Sequence, residues 1–244
     1  FILIGLVCVF LSWICFLALK KNKVDQKKIN DLTVVVPFKD EENLISALIN
    51  SINGQMIPQE MSVRFIFVND HSEDTTTIAI KKLNKPFEVL SNHGHGKKAA
   101  IKTGVMKATS AHILTLDADV ILKPAYFQKI YDFGEGDLTI LPVKMSGEKL
   151  INQWSCIEFD YLQMLTFGFA NLSSPILCNG ANLLFQKQLY LEVLKIRDDR
   201  QVPSGDDYFL LQAARKLNAD IRAVNNRELE VVTPAPATWN GLLN

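Results

Sequence analysis

Between residues 32 and 143 the chain alternates short β-branched runs with stretches whose apolar residues recur at helical spacing. Thr33-Val34-Val35-Val36 reads as a strand stopped by Pro37, and Glu42 to Ile52 then carries Leu44, Ile45, Leu48, Ile49 and Ile52 along one helical face. Val63 to Val68, Phe87 to Leu90, Ala111 to Leu116 and Asp137 to Val143 repeat the strand pattern. Thr75 to Leu83, with Ser72 or Asp74 available as a cap, and Lys97 to Ala108 repeat the helical one. This alternation predicts βαβ units and an α/β fold with a mostly parallel sheet. The second half is less regular. Asn152 to Phe169 is a helix apolar nearly all round, suited to a core or a membrane-facing position, and Asp207 to Leu217 is a second helix. Ile221 to Val224 and Leu229 to Val232 are short strands, after which Pro234 and Pro236 end regular structure.

The N-terminus adds a different element. Phe1 to Leu19 is almost wholly apolar, with Ser12 its one ordinary polar residue. About 20 residues rising 1.5 Å each span a hydrocarbon core, so 1–19 is expected to be a transmembrane helix. A secretory leader would have a basic start and a small-residue cleavage site, which this run lacks. Lys20, Lys21, Lys23, Lys27 and Lys28 follow within a basic juxtamembrane linker, 20–31, and by the positive-inside rule place the main domain, 32–238, on the cytoplasmic face of the cell membrane.

Composition narrows the class. The 244 residues allow one sizeable domain, and 26 basic against 26 acidic side chains leave no net field to attract nucleic acid. Cysteines at 8, 15, 156 and 178 form no CxxC pair, so neither a zinc site nor a disulfide framework is expected.

Chemistry gathers where the strands end. Pro37-Phe38-Lys39-Asp40-Glu41, Asn69-Asp70-His71-Ser72-Glu73-Asp74, Asn92-His93-Gly94-His95-Gly96-Lys97-Lys98 and Asp117-Ala118-Asp119 each follow a predicted strand. In a parallel sheet the carboxyl ends share one edge, where acids, a Gly-flanked lysine and helix N-termini suit a nucleotide with a divalent cation. A lone Asp-x-Asp is as easily a capped turn; successive clusters in register favour a site.

These segments, with Asn179-Gly180-Ala181 and Ser204-Gly205-Asp206-Asp207, resemble the family 2 glycosyltransferases, inverting enzymes of the GT-A fold that include cellulose, chitin and hyaluronan synthases. The likeness spans most of residues 32–238. It implies a Rossmann-like mixed sheet flanked by helices, a nucleotide-sugar donor (a UDP-sugar above all), a saccharide or lipid-linked acceptor, and Mg2+ or Mn2+. By the same resemblance Pro37, Phe38 and Glu41 shape the base and ribose pocket, Asp70 accepts a hydrogen bond from the base, and Lys97 lies near base or phosphates. Asp117 touches the nucleotide and Asp119 holds the metal against the diphosphate. Asp207 matches the acid that deprotonates the acceptor hydroxyl, with Asp206, in place of the commoner Glu, as the fallback; Asn179 and Gly180 border the acceptor. His93-x-His95 could be taken for a transition-metal site, but hard oxygen ligands and a diphosphate favour Mg2+ or Mn2+.

Processive relatives carry a Gln-x-x-Arg-Trp motif after a segment like Thr238-Trp239-Asn240-Gly241-Leu242-Leu243. The natural protein is therefore expected to continue past Asn244 into that motif and further membrane helices, leaving 239–244 as the start of a longer region. Competing readings are a haloacid-dehalogenase-type phosphatase, which also uses Asp-x-Asp at a strand end, a nucleotidyltransferase, and a non-catalytic membrane-anchored binding module.

Overall fold

A computed structural model describes residues 9–14, 16–17, 28–133, 136–147, 150–172, 174–196 and 205–235. Strands β1 (Asp31–Phe38), β2 (Ser62–Asn69), β3 (Phe87–Ser91) and β4 (His112–Leu116) alternate with helices α1 (Ile45–Asn53), α2 (Thr76–Ile80) and α3 (Lys97–Lys107). Next come β5 (Ile121–Leu122), α4 (Tyr126–Asp132), β6 (Leu138–Ile140), β7 (Val143–Ser146) and the long α5 (Leu150–Leu172). β8 (Asn182–Gln186), α6 (Lys187–Ile196), α7 (Asp206–Lys216), β9 (Ile221–Ala223) and β10 (Val231–Pro234) complete the order.

The main sheet has seven strands in the order β3-β2-β1-β4-β8-β6-β9. β3, β2, β1 and β4 run parallel, β8 is antiparallel to both β4 and β6, and β9 is parallel to β6. The expected mixed, mostly parallel α/β sheet is thus present. Side chains along β1 alternate between two cores, as a two-residue repeat dictates. Val34, Val36 and Phe38 join Ile45, Leu48, Ile49 and Ile52 of α1, while Val35 turns to Ile101 and Val105 of α3. Gly104 lets α3 approach that closely: a Cβ there would lie 2.5 Å from Val35 Cγ1. Gly104→Ala is therefore expected to destabilise by about 1–3 kcal/mol, overpacking exceeding the ~1 kcal/mol gained in helix propensity. Equal or higher stability in urea melts would contradict this packing.

Three departures from the sequence reading have local causes. The strand expected over Asp137 to Val143 is broken at Pro142, which lacks the N–H that a ladder needs; β6 lies in the main sheet and β7 in a second, three-stranded one ordered β5-β10-β7. The Pro142 carbonyl instead accepts hydrogen bonds from Val231 N and Asn182 Nδ2. The strand expected over Leu229 to Val232 begins instead at Val231, because Leu229 closes a 3-10 turn over Arg227–Leu229, with Asn226 Oδ1 accepting the Glu228 amide. Finally, β5, α4, β8 and α6 occupy residues where no element was expected.

The expected membrane span falls largely on residues 1–8, 15 and 18–19, outside those described, and no helix among the described residues is long and apolar enough to cross a membrane. Residues 9–14 are helical and rest on α5: Ile14 is fully buried, Phe10 meets Phe169 at 6.5 Å between ring centroids, and Leu17 O accepts from Asn171 Nδ2. The 239–244 expectation also lies outside the described residues.

Candidate active site at the carboxyl edge of the sheet

The loops after β1 and β2 are laced into one unit. Asp40 N–H donates to Ser72 Oγ, Asp40 Oδ1 accepts the Glu73 amide, Glu41 N–H donates to Thr76 Oγ1, and Glu42 N–H donates to Asp74 Oδ2. Asp40 and His71 adopt left-handed backbone conformations with φ of 54° and 62°. Few non-glycine residues do so outside tight turns, and the mutual hydrogen bonds hold them there.

Pro37, Phe38, Glu41, Asp70, Lys97, Asp117 and Asp119, all expected at the nucleotide, line one cavity of about 300 Å³ together with Lys39 and Ala118. Each stands at a strand end, in the loop just after it, or at the first turn of the helix that follows. Two of them have additional structural work. Phe38 is almost wholly buried in the core beneath α1, so it offers the cavity little more than an edge. Asp70 is buried and takes the Gly96 amide on both oxygens, at 3.0 and 2.9 Å, and Asn92 Nδ2 at 2.7 Å. It thereby fixes the turn that aims the α3 N-terminus, with Gly96 at φ 85°, into the cavity.

Lys97, first in α3, reaches Asp117 Oδ1 at 2.6 Å with both side chains partly exposed. Burial works against its charge, but Asp117, Asp207 and Asp119 outweigh that and raise its pKa. Asp119 is pushed up by burial and then by Asp117; Thr233 Oγ1 donates to its Oδ2 at 3.0 Å, while its buried Oδ1 has no hydrogen-bond partner among the described residues. A buried acceptor left in that state suits a cation, since oxygen ligands are what Mg2+ and Mn2+ take. Among the described residues no group of three or more His, Cys, Asp or Glu is arranged to hold a metal. His95 stacks on His71 at 4.6 Å, and His71 Nε2 contacts Gly94 O.

Glu41 is pushed up to about 7, first by burial and then by Asp119 and Asp117. The folded protein therefore holds this proton more tightly than the unfolded chain. Its stabilising effect is complete below pH 4.5, the ordinary value, and is lost as pH rises through about 7. Without metal, the Tm of Glu41→Gln is expected to gain on wild type across that window and to run parallel above it. A gap independent of pH would contradict the raised value.

The remaining residues meet at the same edge because β8 is antiparallel. Pairing Leu116 with Asn182 sets the start of β8 beside the end of β4, carrying Asn179 and Gly180 to the Asp-x-Asp. Gly180 N–H donates to Asp207 Oδ2 at 3.0 Å, and a Cβ on Gly180 would lie 3.9 Å from that oxygen and 4.0 Å from Lys97 Nζ. Asn179 Oδ1 accepts the Ala181 amide. Gly180, Asp207 and Lys97 line a second cavity of about 270 Å³ with Thr115, Phe185 and Tyr190, so Lys97 stands between the two. Asp206 opens α7 after Gly205, which takes φ 78°.

The sequence profile described as glycosyl transferase family 2 matches residues 33–184. The chain belongs to glycosyl transferase family 2. A probable glycosyltransferase of Sulfolobus acidocaldarius is 24% identical over 195 residues, 74% of this chain and 40% of that protein. An undecaprenyl-phosphate 4-deoxy-4-formamido-L-arabinose transferase of Proteus mirabilis is 27% identical over 99 residues, 38% of this chain and 30% of the relative. The chain thus spans less than half the length of either. Among solved structures, the mannosyltransferase PcManGT from Pyrobaculum calidifontis, in complex with GDP-Man and Mn2+, superposes with a TM-score of 0.70 at 18% identity, covering 97% of this chain and 66% of that one. At that identity the likeness shows the fold, of the GT-A type. Within this family 2 domain, Thr233 was not expected at the site: it follows an unremarkable Val231-Val232 run, and only the pairing of β10 with β5 and β7 carries it to Asp119.

Proposed function

We propose that this domain is the catalytic unit of an inverting, metal-dependent glycosyltransferase that moves a sugar from a nucleotide-sugar donor, a UDP-sugar above all, to a hydroxyl of a saccharide or lipid-linked acceptor. The observation that carries the reading is the grouping of Asp117, Asp119 and Asp207 around Lys97, where two cavities meet. Donor and acceptor sides of a transfer reaction need such a junction. The mannosyltransferase of the same fold, in complex with GDP-Man and Mn2+, supports the donor class and the cation.

In this reading the first cavity takes the nucleotide: Pro37, Phe38 and Glu41 border base and ribose, Asp70 faces the base, and Lys97 and Asp117 attend the phosphates. Asp119 holds Mg2+ or Mn2+. When bound, the cation neutralises charge developing on the leaving diphosphate. Asp207 accepts the proton of the acceptor hydroxyl as its oxygen bonds the anomeric carbon; the bond to the diphosphate oxygen breaks and its electron pair leaves with the nucleoside diphosphate. Attack opposite the leaving group inverts the centre. Asn179 and Gly180 border the acceptor, with Asp206 the neighbouring acid. The apolar run at 1–19 and the lysines after it support a cell-membrane location with the domain facing the cytoplasm.

Incubation with a panel of nucleotide sugars is expected to release nucleoside diphosphate in the presence of Mn2+ or Mg2+ and to stop with EDTA. Pyrophosphate release would instead indicate nucleotidyl transfer, and phosphate release from generic phosphoesters a phosphatase.

A further inference from the structure

A third cavity, of about 110 Å³, opens on the far side of the Asn179 loop, and its walls are mostly carbon: Ile140 and Leu141 from the end of β6, Phe159 and Leu162 from α5, and Leu177. The polar side chains on these walls are engaged, Asn179 through its Oδ1, which accepts the Ala181 amide. Gln163 both donates to Val143 O, at 2.6 Å, and accepts from Val143 N, at 2.7 Å. Thr166 Oγ1 donates to Leu162 O, and Cys178 Sγ to Asp207 O. A sugar ring entering here would lose hydrogen bonds to water with little to replace them, whereas a hydrocarbon would lose nothing.

We infer that this cavity is an acceptor subsite for a hydrocarbon chain, holding the alkyl or isoprenoid tail of an amphiphile while its hydroxyl-bearing head lies across Asn179 toward Asp207. The inference rests on the glycosyl-transfer reading above, within which it selects a lipid-type acceptor. Cavity and acid share one short loop: Asn179 lines the cavity, and the next residue, Gly180, donates to Asp207 Oδ2. The mouth is apolar too, since Leu177 is 39% exposed and Leu162 41%. From there Tyr161 (41%), Ile157 (66%) and Trp154 (67%) extend the apolar surface along α5 at helical spacing, with the exposed Glu158 beside them. Tyr and Trp suit a boundary between hydrocarbon and water.

The test uses methyl, hexyl and octyl β-D-glucosides below their micellar concentrations, with binding read by calorimetry. Binding of UDP and GDP with Mn2+ is measured on the same preparations. The expected result is affinity rising about fourfold per buried methylene from hexyl to octyl until the cavity fills. Leu177→Gln and Leu162→Gln, both at partly exposed positions, should each weaken octyl binding roughly tenfold and leave nucleotide binding unchanged. Absence of chain-length dependence in protein that still binds nucleotide overturns the subsite. So does octyl binding that neither substitution weakens, which would be adsorption elsewhere. A dimer that Leu162→Gln dissociates overturns it as well, the cavity then being a contact between copies. Chain-length dependence in protein that binds neither nucleotide marks failure of the transfer reading itself, and with it the acceptor role of the cavity.

Discussion

Asp207→Asn is expected to lower sugar transfer by roughly 100- to 10,000-fold, the range for loss of a positioned general base, while leaving nucleotide binding and folding near wild type. The substitution is nearly isosteric. Asp207 Oδ2 accepts the Gly180 amide at 3.0 Å and Oδ1 accepts the Tyr208 amide at 2.7 Å. An Asn carbonyl oxygen can keep one of these bonds, so the start of α7 stays in place while the proton acceptor is lost. The loss should therefore appear in kcat, with KM for the donor little changed. Equal kcat in variant and wild type would remove Asp207 from the base role and turn attention to Asp206.

Asp119→Asn is expected to abolish Mn2+-dependent nucleotide binding and yet to melt no lower than wild type when metal is absent. Burial and the neighbouring Asp117 already disfavour the charge on Asp119, so neutralising it removes that cost. Thr233 Oγ1 can still donate to the amide oxygen. A stable but non-binding variant separates loss of a ligand from loss of the fold. Nucleotide affinity that keeps its Mn2+ dependence in Asp119→Asn would place the cation elsewhere.

The parallel half of the molecule was legible because β1, β2 and β4 are largely buried apolar runs, each strand including the half-buried β3 is closed by a polar cluster, and parallel pairing puts those clusters at one edge. Glu41, Asp70, Lys97, Asp117 and Asp119 group on that basis from the sequence alone. The antiparallel contribution was not legible in the same way. Asn182-Leu183-Leu184-Phe185 is five residues from start to end of its strand with Gln186, and the preceding Asn179-Gly180 reads as a turn; no local periodicity says that it inserts between β4 and β6. Its placement of Asn179 and Gly180 followed from resemblance and not from pattern. Phe38 shows the opposite limit: the resemblance puts it at the base and ribose pocket, yet the same two-residue alternation that buries Val34 and Val36 buries it as well. Thr233 reaches the site through long-range pairing of the second sheet, for which a single β-branched hydroxyl gives no sequence signal.

Central to the proposed activity is binding of a nucleoside-diphosphate sugar in the carboxyl-edge cavity through a divalent cation. Thermal unfolding of the wild-type protein against UDP- and GDP-sugars, each with and without Mn2+, measures this. At about 100 times Kd, a ligand specific for the folded state stabilises by ~2.7 kcal/mol, which for a domain of this size is a rise on the order of 5–10 °C. The predicted result is such a rise for at least one nucleotide sugar, present with Mn2+, absent with EDTA and absent in Asp119→Asn. No rise with any nucleotide sugar in the presence of Mn2+ would contradict it.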